Sequence, residues 1–413
     1  MTFFCFRIVV EIQWAYPHLF PHLVPRLGGM HMLMSFVGAV GTLMAGTGLA
    51  EILESVFGGV SKMLIGKKFP MNIRAMRMLT EELLRDVVQQ SQLTCHDDLL
   101  TALEDLATVS RTAKMWVDVF IIPVLITMLY VRAEREGDWP LHLQAVKLMM
   151  PYFFAAGHHN YARYGLYYLR SMEALPATVL QHFMKGSHVM RHIPGLWNGI
   201  WSDMFIESTF MRYGHGKGGI IGITLNPETL KTWALSLHVC GQLVEDVSTM
   251  KESDSSSSTQ TTHKEETKAR NSADTRDRKG LRRKLDMSIN PMAPEQHPEA
   301  CVNVVTGRFA PASVNVDRAI DIGTRQLQQF ERKLPQGFYD TIPKKVETMA
   351  VMKKSITVGE TKVYDTGLIY SRVIGLQASS RDVNLDEVLS CELSPLLSSL
   401  IQERCVSPSQ NQC

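Results

Sequence analysis

Apolar residues recur every three or four positions along much of the chain, which is the spacing of one face of an α-helix. The clearest helical segments are 81–93, 97–121, 141–154, 227–247, 313–334 and 382–401. Strand-like segments are few, and the β-branched run "GGIIGITL" at 218–225 is the best example. The pattern therefore predicts a mainly helical fold with a few short strands, in the α+β class.

The polarity of the chain changes abruptly near residue 249. Segment 249–298 opens with a long run of Ser, Thr and charged residues. Such a composition cannot bury enough apolar surface to offset the entropy that is lost on ordering. We therefore predict a disordered linker at 249–298, between a mainly helical domain at 1–248 and a smaller α+β region at 299–413.

Two apolar stretches have the length or hydrophobicity of a membrane span. Residues 30–50 carry no charge, but Gly, Ser, Thr and His dilute their hydrophobicity. Residues 116–131 are short, contain Asp118, and are expected to break at Pro123. Because buried core helices look the same at this length, we interpret both stretches as core and expect no membrane partner.

Composition narrows the functional classes. The net charge of +2 over 413 residues argues against a molecule that is basic all over, so any nucleic-acid contact needs a local patch. The seven cysteines are scattered without a CxxC pair, which predicts neither a zinc finger nor a disulfide framework. Reduced thiols in an intracellular protein fit this usage best.

Asp203 and Glu207 form the most suggestive acidic pair. Four residues make one helical turn, so both carboxylates lie on one face of the predicted helix. Carboxylate oxygens are ligands that Mg²⁺ and Mn²⁺ prefer, and two-metal phosphoryl transfer uses such groups with a third acidic residue. An ordinary solvated or hydrogen-bonded acidic pair is the competing interpretation, and the sequence alone favours it.

Three further motifs have both a functional and a structural interpretation. The glycine-rich "GHGKGG" at 214–219 could cradle phosphate, but a turn between a helix and a strand is favoured. His188 and His192 could share a metal on one helix face, although no further ligand completes the set. The segment 161–170 interleaves tyrosines with Arg163 and Arg170, which suits stacking on single-stranded nucleic acid or, as we favour, packing in the core.

Basic side chains supply the candidate contacts to DNA. The strip "RDRKGLRRK" at 276–284 could be a nuclear-import signal, a phosphate-contacting surface or a solvated linker end. The residues expected to contact nucleic acid are Arg163, Arg212, Lys217, Arg282, Arg283 and Lys284. An import signal would place the protein in the nucleus.

Long strings of this sequence resemble a set of uncharacterised, transposon-derived proteins found in many copies in fish, corals and other animals. They include "RLGGMHMLMSFVGAVGTLM" from residue 26, "HVMRHIPGLWNGIWSDMFIESTF" from residue 188 and "VYDTGLIYSRVIGLQASSRD" from residue 363. The resemblance covers nearly the whole chain. It implies an RNase H-like transposase core that acts on DNA with Mg²⁺ or Mn²⁺.

The front of the chain departs from that family's pattern. There the block that here begins at Gly28 follows a strand ending in an Asp-Gln pair, and that aspartate would be a metal ligand. This chain has no aspartate before Asp86, and Glu11 is its only acidic residue before Glu51. The resemblance therefore implies an incomplete RNase H-like core, in which Asp203 and Glu207 survive and Asp118 is a distant third carboxylate.

Three functions follow as hypotheses. The first is a transposon-derived protein that is catalytically incomplete and retains at most nucleic-acid or Mg²⁺ binding. The second is an active metal-dependent nuclease or transposase that uses a carboxylate not yet identified. The third is a helical protein-interaction module without a ligand, and no small-molecule substrate is evident for any of them.

Overall fold

The computed structural model is mainly helical, as the hydrophobic pattern predicts. It describes residues 2–91, 97–191, 197–208, 267–293, 298–351, 355–358 and 361–364, with a few isolated positions between 228 and 246. The helices in chain order are α1 (Thr2–Ala15), α2 (Gly29–Leu43), α3 (Leu49–Glu54), α4 (Val60–Met63), α5 (Phe69–Ser91), α6 (Asp97–Val109), α7 (Arg111–Trp116), α8 (Ile122–Glu136), α9 (Trp139–Ala155), α10 (His159–Glu173), α11 (Ala177–Met184), α12 (Ser202–Ile206), α13 (Lys268–Asp286) and α14 (Ala319–Lys333). The other helical elements with defined bounds are a π-helical turn at Val117–Ile121 and 3₁₀ turns at Val316–Arg318 and Met349–Val351.

The chain divides into two units, each built from separated parts of the sequence. Unit 1 contains Met1–Ala39, Pro123–Arg276 and Asp321–Lys344. Unit 2 contains Val40–Ile122, Asp277–Ile320 and Lys345–Cys413. The units interleave along the chain, whereas the composition predicted a linear division at about 248 and 298.

Aromatic side chains fill the core of unit 1. Phe36 of α2 packs edge-to-face on Tyr152 and Phe153 of α9, with ring centroids 5.6 and 5.8 Å apart. Phe6 of α1 makes the same kind of contact with Tyr164 of α10, at 6.4 Å. Edge-to-face pairs contribute roughly 0.5–1.5 kcal/mol beyond the burial of their area. The aromatic face of α10 therefore lies in the core, as we favoured for the tyrosines at 161–168.

Ser110 interrupts the helix predicted over 97–121. Its side chain accepts a hydrogen bond from the Ala113 amide at 3.0 Å and so caps the first turn of α7. A serine at this position satisfies an amide that has no partner within the helix. The apolar spacing continued across this point, but the cap ends α6 at Val109 and starts a new helix.

The apolar stretch around Pro123 is continuous helix, so the expected break there was wrong. Proline removes a helical N–H and crowds the preceding turn. The wider π-helical turn at Val117–Ile121 directly precedes it and accommodates it without ending the helix. The whole stretch Arg111–Glu136 is apolar and long enough to cross a membrane, with a mean hydropathy of 1.8 in its most apolar window, and 61% of that window is buried in the protein. Core helices and membrane spans share these properties.

The basic segment at 268–286 is the helix α13, and the prediction of disorder was wrong there. Within unit 2, Asp277 pairs with Arg74 at 2.7 Å, and Arg282 pairs with Asp86 at 2.6 Å. Leu281 and Leu285 are buried on the same face. The composition of this segment predicted that its charges would be solvated. Instead, acidic and basic residues of α5 pair with them, and this allows the helix to pack against α5.

Strands are rare in the described part of the chain. Ser355–Val358 (β1) and Thr361–Tyr364 (β2) form an antiparallel pair, and two isolated bridges join Met190 to Ile200 and Val302 to Phe309. The predicted strand 218–225 and helix 382–401 lie outside the described residues, as does most of the predicted helix 227–247. The α+β class therefore reduces to mainly α here, and an RNase H-like core stays a prediction.

Gly323 is expected to be a sensitive packing position in unit 1. A Cβ at this residue of α14 would lie 2.0 Å from the Pro151 carbonyl oxygen of α9, and neither backbone can move away easily. We expect Gly323→Ala to lower the free energy of unfolding by about 1–3 kcal/mol despite its gain in helix propensity. Chemical denaturation followed by circular dichroism measures this.

Gly165→Ala is the matched control. Its Cβ would meet the Met150 sulfur at 3.0 Å, at the end of a flexible side chain. The helix-propensity gain of up to about 1 kcal/mol then opposes a small packing cost. Equal losses in the two variants would contradict the close approach of α9 and α14.

Candidate functional site

Asp203 connects two distant parts of unit 1. It lies on α12 with only 3% of its side chain exposed, and its carboxylate accepts hydrogen bonds from the Met30 and His31 amides, both at 3.1 Å. The first backbone bond of α2 runs from the Met32 amide to the Gly28 carbonyl, so the Met30 and His31 amides precede the helical ladder. Asp203 therefore caps α2 from 173 residues away in the sequence.

Two glycines make this approach possible. A Cβ at Gly28 would lie 2.5 Å from Asp203 Oδ2. A Cβ at Gly29 would lie 2.7 Å from the Trp201 ring and 2.8 Å from the Tyr130 hydroxyl. Gly28 thus provides the space that the Asp203 side chain occupies, and Gly29 provides space for Trp201 and Tyr130.

His31 bridges the two predicted carboxylates. Its Nδ1 lies 3.0 Å from Asp203 Oδ2, and its Nε2 lies 3.0 Å from Glu207 Oε1. The ring is 19% exposed and the Glu207 side chain 38% exposed. We call Asp203, His31 and Glu207 the capping site. The sequence placed the two carboxylates on one helical turn correctly, but local spacing could not reveal a histidine 172 residues away.

The capping site limits what Asp203 can bind. Its Oδ2 accepts from the His31 amide and contacts the His31 ring, while Oδ1 accepts from Met30. A Mg²⁺ ion that bound Asp203 Oδ2 would have to compete with His31 for this atom. The sequence does not reveal this competition at the predicted ion site. The third predicted ligand, Asp118, belongs to unit 2 and pairs with Lys114 at 2.7 Å.

The hydrogen bonds at the capping site also set the protonation of Asp203. Burial alone would raise the pKa of this carboxyl. The His31 ring and the two amides act in the opposite direction, and the net pKa lies below its ordinary value. Asp203 is therefore a stable anion at the positive end of the α2 dipole.

A second polar group, the buried cluster, consists of Glu134, His142 and His188. It also lies in unit 1. Glu134 is near the end of α8, His142 is on α9, and His188 is in the turn after α11, with relative exposures of 1%, 0% and 1%. One potential ligand atom from each lies within 4.8 Å of the others. The sequence did not single out Glu134 and His142, because they meet only through the turn at Gly137 between α8 and α9.

The neighbours of His142 hold its ring in place. Its Nδ1 lies 2.5 Å from Glu134 Oε1, and its Nε2 lies 2.9 Å from the Tyr168 hydroxyl. Trp139 stacks on the ring at 5.0 Å with an interplanar angle of 10°. Arg26 lies near the same indole and donates to the His188 carbonyl oxygen.

His188 differs from His142 because its ring lacks strong partners. Its Nδ1 lies 3.4 Å from the Phe183 carbonyl oxygen, and its Nε2 is buried without a partner. Burial, assisted by His142 and by the Arg26 charge, lowers the pKa of His188 to about 3. The alternative in which His188 and His192 share a metal on one helix face does not hold for His188, which lies in a turn, and His192 is outside the described residues.

The predicted nucleic-acid contacts have different surroundings. Arg163 donates to the Asp340 carbonyl and lies over the Phe338 ring, while Arg282 pairs with acidic residues. Lys284 is buried and Arg283 is exposed. Arg212, Lys217 and the glycine-rich turn at 214–219 lie outside the described residues.

Asp203→Asn is expected to destabilise unit 1 in a pH-dependent way. The carboxylate has a pKa below its ordinary 3.8, so it stabilises the fold above about pH 3.8 and loses that effect as the pH falls further. We expect the variant to lose about 1–2 kcal/mol of unfolding free energy at pH 7, and the difference from wild type to shrink below pH ~4. Urea unfolding at several pH values measures both.

Glu207→Gln serves as the control for that prediction. Its side chain is more exposed and contacts the His31 ring rather than the amides of α2. We expect a loss of at most about 1 kcal/mol. A stability difference for Asp203→Asn that persisted unchanged at low pH would contradict the role of its charge.

Comparison with known proteins identifies a family but no activity. A family model described as a domain of unknown function (DUF8702) matches residues 6–99 and 90–392. No curated protein and no solved structure matches the chain. The matched regions contain both the capping site and the buried cluster. Because the match spans most of the sequence, the chain belongs to the DUF8702 family.

Proposed function

We propose that this protein is transposon-derived, has lost catalysis, and retains binding to nucleic acid. The family resemblance of its sequence blocks motivates the transposon origin. The exposed basic face of α13 supports the binding role. Commitment of Asp203 to the cap of α2 supports the loss of metal-dependent catalysis, because a phosphoryl-transfer site needs its carboxylates for ions.

The basic residues of α13 divide between two faces. On the inner face, Arg278 pairs with Glu81 at 2.5 Å, and Arg282 pairs with Asp86. The exposed residues Lys279 and Arg283 are four positions apart. Residues at that spacing line one side of a helix, so their charges form a single outward stripe. We call these two residues the basic stripe.

A stripe of this kind suits phosphates rather than bases. Cationic side chains on a regular helix neutralise backbone phosphates and release condensed counterions, and this gives affinity without sequence preference. The paired arginines of the inner face hold the helix in position. Of the contacts predicted from the sequence in this helix, Arg282, Arg283 and Lys284, only Arg283 is exposed. Exposure adds Lys279, which the sequence did not single out.

The test is duplex DNA binding measured by fluorescence anisotropy over a range of salt concentrations. We expect the double variant Lys279→Glu/Arg283→Glu to bind at least about 10-fold more weakly than wild type. The slope of log affinity against log salt should fall in magnitude by about 2, since each phosphate contact contributes roughly 0.9. Wild type should show no Mg²⁺-dependent cleavage of the DNA.

Arg325→Glu/Arg332→Glu is the matched control. These arginines are exposed on α14, seven positions apart, and the substitutions change the net charge by the same amount. We expect near-wild-type binding. Equal weakening in both double variants would contradict a specific role for the basic stripe. Mg²⁺-dependent cleavage that Asp203→Asn abolishes would contradict the loss of catalysis.

A further inference from the structure

The buried cluster contains two hydrogen-bond acceptors without donors. Glu134 Oε2 and His188 Nε2 are both buried and lack a partner among the described residues. Buried polar atoms in proteins are almost always satisfied, because leaving one unpaired is costly. Two such atoms beside a third potential ligand suggest that something else occupies the space between them.

A transition-metal ion matches the chemistry of these atoms. Two imidazoles and one carboxylate are ligands that Zn²⁺ takes in sites that keep a fourth position open. The His188 Nε2 atom is buried without a hydrogen-bond partner, and an imidazole binds a metal through a ring nitrogen that carries no proton. A buried Mg²⁺ is less suitable, since it prefers oxygen ligands and retains several waters.

We propose that Glu134, His142 and His188 bind a first-row transition-metal ion such as Zn²⁺. The ion binds His142 Nδ1 and the Glu134 carboxylate, whose Oε2 lacks a partner. The proton between Glu134 Oε1 and His142 Nδ1 moves to His142 Nε2, so the ring stays neutral. His188 contributes Nε2, its atom without a partner. The fourth position falls to water or to the Tyr130 hydroxyl, which is also buried without a partner.

The surroundings of His142 are those of a metal ligand. With Nδ1 on the ion, the protonated Nε2 donates to the Tyr168 hydroxyl 2.9 Å away. Such an outer contact fixes the tautomer and orientation of a metal-binding histidine. The stacked Trp139 indole restricts rotation of the ring.

The positive charges of Arg26 and, more weakly, Arg191 act on His188 and oppose the ion. The Arg26 guanidinium lies 6.0 Å from the Trp139 ring, beside the cluster. The Glu134 carboxylate offsets this charge, so the ligand set and Arg26 are neutral together. We therefore expect weaker binding than in zinc sites with several thiolate ligands.

The experiment uses the full chain, stripped with a chelator and then titrated with Co²⁺ and Zn²⁺. Visible absorption follows Co²⁺, and calorimetry follows Zn²⁺. We expect one ion per chain, with affinity lowered at least about 100-fold in Glu134→Gln and in His188→Gln. Tyr168→Phe should lose about 10- to 100-fold, which is the usual effect of removing an outer contact.

His158→Gln is the matched control. His158 is a half-buried histidine of unit 1 whose Nδ1 lies 3.1 Å from the Ser35 hydroxyl. Its substitution should leave the metal affinity unchanged. Unchanged affinity in His188→Gln, or equal losses in His158→Gln and His188→Gln, would overturn the proposal.

If the variants of the buried cluster fail to fold, X-ray absorption on zinc-loaded wild type tests the proposal by identifying the atoms that coordinate zinc. Two imidazole nitrogens with oxygen and no sulfur in the first shell would support the buried cluster. Sulfur ligands, or no stoichiometric zinc at all, would overturn it. The proposal is independent of DNA binding, because the basic stripe lies on a different element.

Discussion

The structure of unit 1 depends on the contact between Asp203 and the first turn of α2. Helix termini leave amides without acceptors, and a buried terminus needs a partner for them. Asp203 supplies that partner, its own charge is stabilised in return, and Gly28 provides the space. The acidic pair in the sequence is therefore first of all a structural device, and its second carboxylate holds the other side of His31.

Pairing of polar groups with partners distant in the sequence also explains how α13 packs and how the buried cluster forms. Arg282 and Asp86 are 196 residues apart, and their pairing allows a highly polar segment to dock as a helix. In the buried cluster the satisfaction is incomplete, because Glu134 Oε2 and His188 Nε2 lack donors. A fully paired network would indicate structure alone, whereas these two atoms point to a ligand.

The sequence predicted the helices well because their signal is local. The spacing of apolar residues identified α9 and α14 from a few turns each. The spacing of apolar residues failed where the stabilising partner is distant in the sequence. It did not predict that α13 is an ordered helix or that His31 contacts Asp203. The buried cluster was missed for the same reason, since Glu134 and His142 meet only after the chain turns at Gly137. The helix break expected at Pro123 was wrong because proline alone does not indicate that a π-helical turn precedes it.

Hydrogen exchange at the Met30 and His31 amides tests the central claim most directly. Both amides precede the backbone ladder of α2, so their protection depends on Asp203, whereas the Met32 amide bonds to Gly28. In Asp203→Ala we predict that exchange at Met30 and His31 accelerates at least about 10-fold more than at Met32. Equal exchange of the two amides in wild type and variant would contradict the capping role of Asp203.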